Sequence, residues 1–491
     1  MSFTSPVVRR AVLYCLLLTA ASYFLFFHGL TATGLLGPDE PRYAAIGREM
    51  ARSGDWITPR LWGEPWFEKP ALLYWMTGLA FRAGLGEELA PRLPVALLGV
   101  GFLGFYWWAL RRQFGSRAAF FSTALLGTSA VWLSFSHAGV TDLPMAAAFA
   151  AAMLLCLPWI HRQECLCHLW VAAALLGLAV LAKGLVPLVL ALPLAWVGRR
   201  RVKDWVRPGP IAAFLAVAAP WYVLCYVANG QVFLSEFFIR HHLGRYSSDA
   251  LQHPQPFWFY LPVMLGALFP WTPLLVLVFR RVAYRDPRRR FLLLWVVFGL
   301  VFLSVAVNKL PGYVLPLLPA LAALVGLELA EVRRAGWLLA ACALLLVLVP
   351  VIGAALPDAL TKGLTRARLP EAPWAWLPSV ALLAGLVWWL ESRGRRGWAV
   401  GAVVVAVVAA ALWMKTSVFP VLDRKVSARN FWRQMPIPAA AVCVEEANRS
   451  WLYGLNYYSM EPLPACEQEP RQWRLRQGPV GPTLYQVRAE P

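Results

Sequence analysis

The run AVLYCLLLTAASYFLFFHGL, residues 11–30, decides how the rest of the chain is read. It carries no Asp, Glu, Lys or Arg and follows a short basic segment ending in Arg9 and Arg10. Roughly 20 such residues cover the hydrocarbon thickness of a bilayer as a helix. Phe24, Phe26 and Phe27 make its far end bulky and no small-residue cleavage site follows, so it reads as a retained first span with its N-terminus in the cytoplasm rather than as a signal peptide. Further apolar runs fall near 93–110, 118–135, 142–160, 169–182, 184–198, 210–228, 257–279, 291–307, 312–329, 337–356, 375–390 and 398–415. The expected fold is an all-α polytopic membrane protein of about 13 transmembrane helices.

Composition agrees. Of 491 residues, 59% are apolar and 15% charged, with a mean hydropathy of +0.56, whereas soluble domains are about one quarter charged. An ordinary cytoplasmic enzyme, a collagen and a disordered chain are excluded. The 46 Lys and Arg exceed the 26 Asp and Glu, giving a formal charge of +20. A soluble protein with that surplus would point to nucleic acid. A polytopic one carries it in its cytoplasmic loops, so no nucleic-acid partner is expected.

The arginines test the threading. Arg111, Arg112, Arg117, Arg162, Arg199 to Arg201, Arg280 to Arg290, Arg333, Arg334 and Arg393 to Arg396 fall on one side of it, and most loops of the other side are acidic. The basic side is assigned to the cytoplasm, which places the C-terminus in the periplasm. Residues 1–416 then form a transmembrane domain with two long outer loops, 31–92 and 229–255. Loops this long are usually functional or disordered. Trp56, Trp62, Trp66, Phe67, Tyr74 and Trp75 give the first loop the content of segments lying along a membrane surface, and short helices are expected around 41–53 and 69–82. The tail, 417–491, reads as a small C-terminal periplasmic α/β cap with a strand over Ala439–Val444. Its two cysteines, Cys443 and Cys466, are able to pair if that compartment is oxidising. Cys165 and Cys167 near His161 and His168 match no standard zinc spacing.

Charges at membrane depth are costly and therefore functional candidates. Gly37-Pro38-Asp39-Glu40-Pro41-Arg42-Tyr43 sets two carboxylates in a proline-stiffened backbone directly after the first span. Asp39 would also serve as the N-cap of the following helix, a role that needs no second acid. Phe67-Glu68-Lys69-Pro70 places opposite charges among aromatics. Either they form an exposed ion pair of little worth, or Lys69 holds a lipid phosphate. Thr141-Asp142-Leu143-Pro144 opens one span, where Asp142 is either a cap or a base. Asn308-Lys309-Leu310-Pro311-Gly312-Tyr313 offers a cation, Lys309, and a phenol, Tyr313, to an anionic headgroup. In the second loop His241, His242 and His253 lie close to Arg240 and Arg245. With Glu68 these imidazoles admit a divalent metal site, and the expected ligands are Glu68, His242 and His253.

These motifs carry a resemblance. GPDEPRYA (37–44), FEKPALLYW (67–75), TDLP (141–144), AKG (182–184), HHLGRY (241–246), HPQPFWFYLP (253–262) and KLPGY (309–313) resemble those of bacterial membrane glycosyltransferases of the GT-C fold, in the protein O-mannosyltransferase superfamily. The 4-amino-4-deoxy-L-arabinose lipid A transferases are the most similar group. The resemblance implies an inverting transfer from a polyprenyl-phosphate-linked sugar donor to a lipid or glycan acceptor at the periplasmic face of the bacterial inner membrane. It implies Asp39 as the acid of the first outer loop, Glu68 as a metal ligand, and Lys69, Arg245 and Tyr313 as contacts to the donor phosphate; a hydroxyl acceptor needs a base, which Asp39 or Asp142 would supply, and Lys309 is a further cation for the phosphate. Glu40, Arg42 and Lys183 sit in the same motifs, and no cofactor is required beyond that optional metal. Ala71 stands where the family commonly has Pro, and the tail is shorter than in the arabinose transferases.

The physics is compatible with that resemblance. A lipid-linked donor needs no nucleotide, and the chain has no GxGxxG or Walker loop. The rival class is a multi-span secondary transporter of a lipid-linked or small anionic substrate. Transporters generally show internal repeats and midplane charges; here no repeat is visible and the candidate residues gather at one face.

Overall fold

The computed structural model describes residues 6–161, 167–199, 201–237, 254–363, 366–368, 370–371, 374–478 and 481–486. The opening run is helical over Pro6–Ser22 and continues as a π-helical turn over Tyr23–Phe27. Every other apolar run also falls on helical structure. The expected count of about 13 crossings is visible only in part. Among the described residues seven helices are long and apolar enough to cross a membrane, or up to nine if each of two bent pairs counts as one span. Phe257–Ala267 and Thr272–Phe279 meet at 114°, where Pro270 and Pro273 each remove a backbone donor and clash with the preceding turn. Ser116–Gly127 and Ala130–Ser136 meet at 62°. There the Thr128 and Ser129 hydroxyls donate back to the carbonyls of Ala124 and Leu126. Such a local bond competes with the helix ladder.

Two spans form the centre of the bundle, Asp142–Ile160 and Pro311–Glu331, each 89% buried, whereas Pro208–Phe237 and Arg396–Lys425 are largely exposed at its rim. Alanines from Ala146 to Ala152 line the first of these. Small side chains let helix backbones approach closely where no hydrophobic effect operates between helices.

The arginine-rich end is closed on itself. Arg289 and Arg280 both reach Glu328, at 2.6 and 3.0 Å. Arg396 pairs with Glu391 at 2.5 Å and donates to the carbonyls of Leu329 and Val332. Trp159 donates its indole N–H to Asp204 at 2.9 Å. At the other end the first long loop holds the two expected helices, Asp39–Ser53 and Leu72–Arg82. Between them lies a hairpin that pairs Arg60–Leu61 with Glu64–Pro65.

The helix Pro208–Leu234 runs on as a helical turn to Phe237, the last described residue before Pro254. Residues 238–253, with Arg240, His241, His242, Arg245 and His253, lie outside the described residues. The helical path from Arg396 runs past Thr416 to Lys425. Beyond it the cap is α/β, as expected, with a sheet in which Val442–Glu446 pairs in parallel with Trp473–Gln477 and the latter antiparallel with Pro482–Gln486. The expected strand begins three residues late, since Ala439–Ala441 is a 3₁₀ turn. Cys443 and Cys466 form a disulfide.

Candidate active site

A cavity of about 800 Å³ opens at the end of the bundle opposite the arginines. Asp39, Lys69, Asp142, Lys183 and Tyr313 line its polar part, while Leu346, Val349, Ile352, Leu360, Val407 and Ala411 continue it as an apolar wall. Ile352 and Leu360 are themselves exposed. The cavity therefore joins a charged head to a greasy flank that faces the lipid.

Asp39 and Glu40 are adjacent and have opposite fates. The Glu40 carboxylate takes a fork from Arg92, at 2.7 and 2.8 Å, and accepts from the backbone N–H groups of Leu36 and Gly139. Arg92 spends its remaining donors on the carbonyls of Leu30, Thr33 and Gly34. This knot ties the first span, the first loop and the turn before Asp142 together, and its lone pairs and protons are consumed. Asp39 is instead 46% exposed in its side chain and accepts from Arg42 at 2.5 Å. It does not cap its helix, whose N-cap is Pro38. Of the two acids, Asp39 is the one left open to take a proton.

Arg42 is buried and reaches Glu68 as well, at 3.0 Å, and Lys69 meets the other Glu68 oxygen at 3.0 Å. Glu68 and Lys69 are thus buried, not an exposed pair. Burial works against the Arg42 charge, but the carboxylates of Glu68 and Asp39 outweigh it and hold the guanidinium firmly protonated. The phenols of Tyr43 and Tyr74 are pushed well above their usual range by burial and then by Glu68. They stay neutral and cannot act as bases.

Across the cavity Lys183 donates to Asp142 at 2.6 Å and lies over the Tyr313 ring at 4.8 Å. Asp142 is not a side-chain cap either, as the N-cap is Thr141. Lys309 points elsewhere. Its ammonium donates to the carbonyls of Gln255 and Ala306 and it does not line the cavity; sequence gave no sign that this lysine anchors a loop.

Three cavity residues were missed. Arg92 follows Pro91 at the start of a span, a charge at membrane depth that would have flagged it. Lys415 ends an apolar run and donates to the carbonyls of Phe24 and Leu25 at 2.7 and 2.8 Å. His137 donates through Nδ1 to the Leu133 carbonyl at 2.8 Å, and its buried Nε2 has no partner among the described residues.

For a metal the described residues do not fit. They contain no group of three His, Cys, Asp or Glu arranged to hold one, and Glu68 already faces two cations.

The fold is the GT-C fold of membrane glycosyltransferases. Residues 68–226 match the dolichyl-phosphate-mannose-protein mannosyltransferase family. The chain superimposes on ArnT from Cupriavidus metallidurans bound to undecaprenyl phosphate with a TM-score of 0.72 and 27% identity, over 92% of this chain and 85% of that one. The chain is also similar to undecaprenyl phosphate-alpha-4-amino-4-deoxy-L-arabinose arabinosyl transferase 2 of Pseudomonas fluorescens, 34% identical over 67% of this chain. The corresponding transferase of Aeromonas hydrophila is 32% identical over 64% of it. The chain spans 58% and 60% of the lengths of these two relatives.

Proposed function

We propose that this protein transfers a sugar from a polyprenyl-phosphate donor to an envelope acceptor, lipid A or another lipid or glycan, at the periplasmic face of the bacterial inner membrane. One observation carries the reading: a single cavity joins a carboxylate open to solvent, two lysines and a phenol to an apolar wall on the lipid side. An amphipathic lipid phosphate has that shape and polarity. The nature of the relatives supports it, and makes 4-amino-4-deoxy-L-arabinose the first sugar to test. The disulfide in the cap is compatible with a periplasmic tail.

In this reading the acceptor oxygen attacks the anomeric carbon from the face opposite the phosphate. The new C–O bond forms as the bond to the phosphate oxygen breaks, with inversion, and the lipid phosphate leaves with the electron pair. Lys69 and Tyr313 face the charge that grows on it, and Arg245, outside the described residues, is assigned the same role from its motif alone. Cations placed in advance stabilise the transition state more than the ground state. If the acceptor is a hydroxyl, its proton passes to Asp39, and Lys183 holds the Asp142 carboxylate in place. If it is a phosphate monoester, it arrives ionised and Asp39 orients it through a shared proton or the sugar.

The test is a purified-protein assay with undecaprenyl-phosphate sugars, together with mass spectrometry of envelope lipids from a strain lacking the protein. Loss of one glycosylated lipid and its restoration in vitro are expected. An unchanged envelope and no turnover with any polyprenyl-phosphate sugar would overturn the proposal.

A further inference from the structure

The C-terminal cap lies against the catalytic loop at several points. The Tyr458 hydroxyl accepts from the Leu35 N–H at 2.9 Å, and Asp423, just before the cap, accepts from the Gly34 N–H at 2.7 Å. Tyr457 donates its hydroxyl to Glu87 O and accepts from Arg48 through its carbonyl. These contacts fix the backbone just before Asp39. A closer one touches the charge network itself. The Arg42 guanidinium sits over three rings, Tyr43, Trp66 and Tyr453, each 5.3 Å from its centre. Tyr43 belongs to the helix of Arg42 and Trp66 to the same loop, whereas Tyr453 comes from the cap helix Arg449–Tyr458. Tyr453 is also stacked on Trp62 of the first loop, at 5.7 Å and 20°.

Arg42 Nε is buried and has no acceptor among the described residues. The guanidinium is therefore held by one terminal nitrogen, which spans Asp39 and Glu68, and by aromatic faces. A cation over a ring is attracted by the negative face of the π system. With the Tyr453 face removed, the guanidinium loses one of the three faces that fix its plane, and that plane sets how its terminal nitrogen meets the Asp39 carboxylate.

We propose that Tyr453 is a positioning residue for the reaction. The cap supplies one wall of an aromatic cage on Arg42, and through Arg42 it sets the orientation of Asp39. The inference rests on the reading of Asp39 as the catalytic carboxylate. The cap is then a working part of the active site. A misplacement of about 1 Å at a reacting group costs on the order of a hundredfold in rate, so a side chain that never touches substrate can govern turnover.

The experiment uses the full chain in detergent or nanodiscs, with an undecaprenyl-phosphate sugar donor. Tyr453→Phe keeps the aromatic face, and its turnover is expected to stay within about twofold of the parent. Tyr453→Leu has similar bulk and no face, so kcat is expected to fall at least about tenfold while the donor KM and melting temperature hold. In an Arg42→Gln background the same Leu substitution should cost nothing further, because its effect passes through Arg42. Parent-like kcat in Tyr453→Leu, a fall that appears equally in Tyr453→Phe, or full additivity with Arg42→Gln would each overturn the proposal. If Tyr453→Leu does not fold, Tyr453→Phe and Tyr453→His in the two backgrounds decide by the same criterion of additivity. Asp39→Asn is assayed alongside. Normal turnover there removes the catalytic reading itself, whereas lost turnover there with parent-like Tyr453→Leu removes the role of the cap alone.

Discussion

The two ends of the helix bundle use the same residue types to different effect. At the arginine-rich end every carboxylate that is buried is answered in kind: Glu328 by Arg289 and Arg280, Glu391 by Arg396, Asp204 by Trp159 and Arg201. At the cavity end one knot, Glu40 with Arg92, is equally closed. Beside it Asp39 stands 46% exposed, and Asp142 with Lys183 faces open space. Saturated pairs hold helices in place. Pairs with an open side are available to a substrate, and the stability they forgo is the cost of that availability.

Substitutions can break this contrast. The largest effect is expected for Asp39→Asn, a loss of about a hundred- to ten-thousandfold in turnover with an unchanged melting temperature. The purified variant assayed with a polyprenyl-phosphate sugar checks it. Glu40→Gln should do the reverse. It leaves Arg92 buried without its counter-charge, at a cost of about 3–5 kcal/mol, visible as a large drop in melting temperature. Glu328→Gln at the other end belongs to the same class and is expected to cost somewhat less, because the Arg280 side of the cluster is partly exposed to water. In both, turnover per folded molecule should be near normal. If Glu40→Gln instead kept its stability and lost turnover, the distinction between neighbouring acids would fall. Lys69→Ala is expected to lower turnover by about ten- to a hundredfold through the leaving phosphate, and steady-state kinetics across donor concentrations would show it. The smallest effect is expected for Arg60→Gln, whose partner Asp55 is 3.8 Å away and well exposed; such pairs are worth under about 1 kcal/mol, and calorimetry should find little change.

Much of this was legible in sequence because a bilayer enforces its rules on every span. Unbroken apolar runs located the helices, charges at membrane depth drew attention to Asp39 and Asp142, and Lys183 entered only with the AKG motif of the resemblance. What sequence could not show was which of two adjacent acids was spoken for. Asp39 and Glu40 differ only in that Arg92, some fifty residues on, reaches one of them and not the other. Lys309 looked like Lys69 by the same logic, yet two carbonyls claim it. The straightness of spans was also hidden, since the bends at Gly127 to Ser129 and at Pro270 to Pro273 change direction without interrupting hydropathy. Tyr453 lay in the tail, which composition marked only as soluble, and no local pattern ties it to Arg42.

The apolar wall of the cavity sets the dimension in which its substrate is met. Ile352 and Leu360 are exposed on that wall, so the lipid-tailed donor proposed above would arrive by sliding within a leaflet and need not leave it. Its relevant concentration is a mole fraction of the membrane. Diluting the donor with inert lipid at fixed total amounts should slow the reaction, although nothing in the surrounding water has changed.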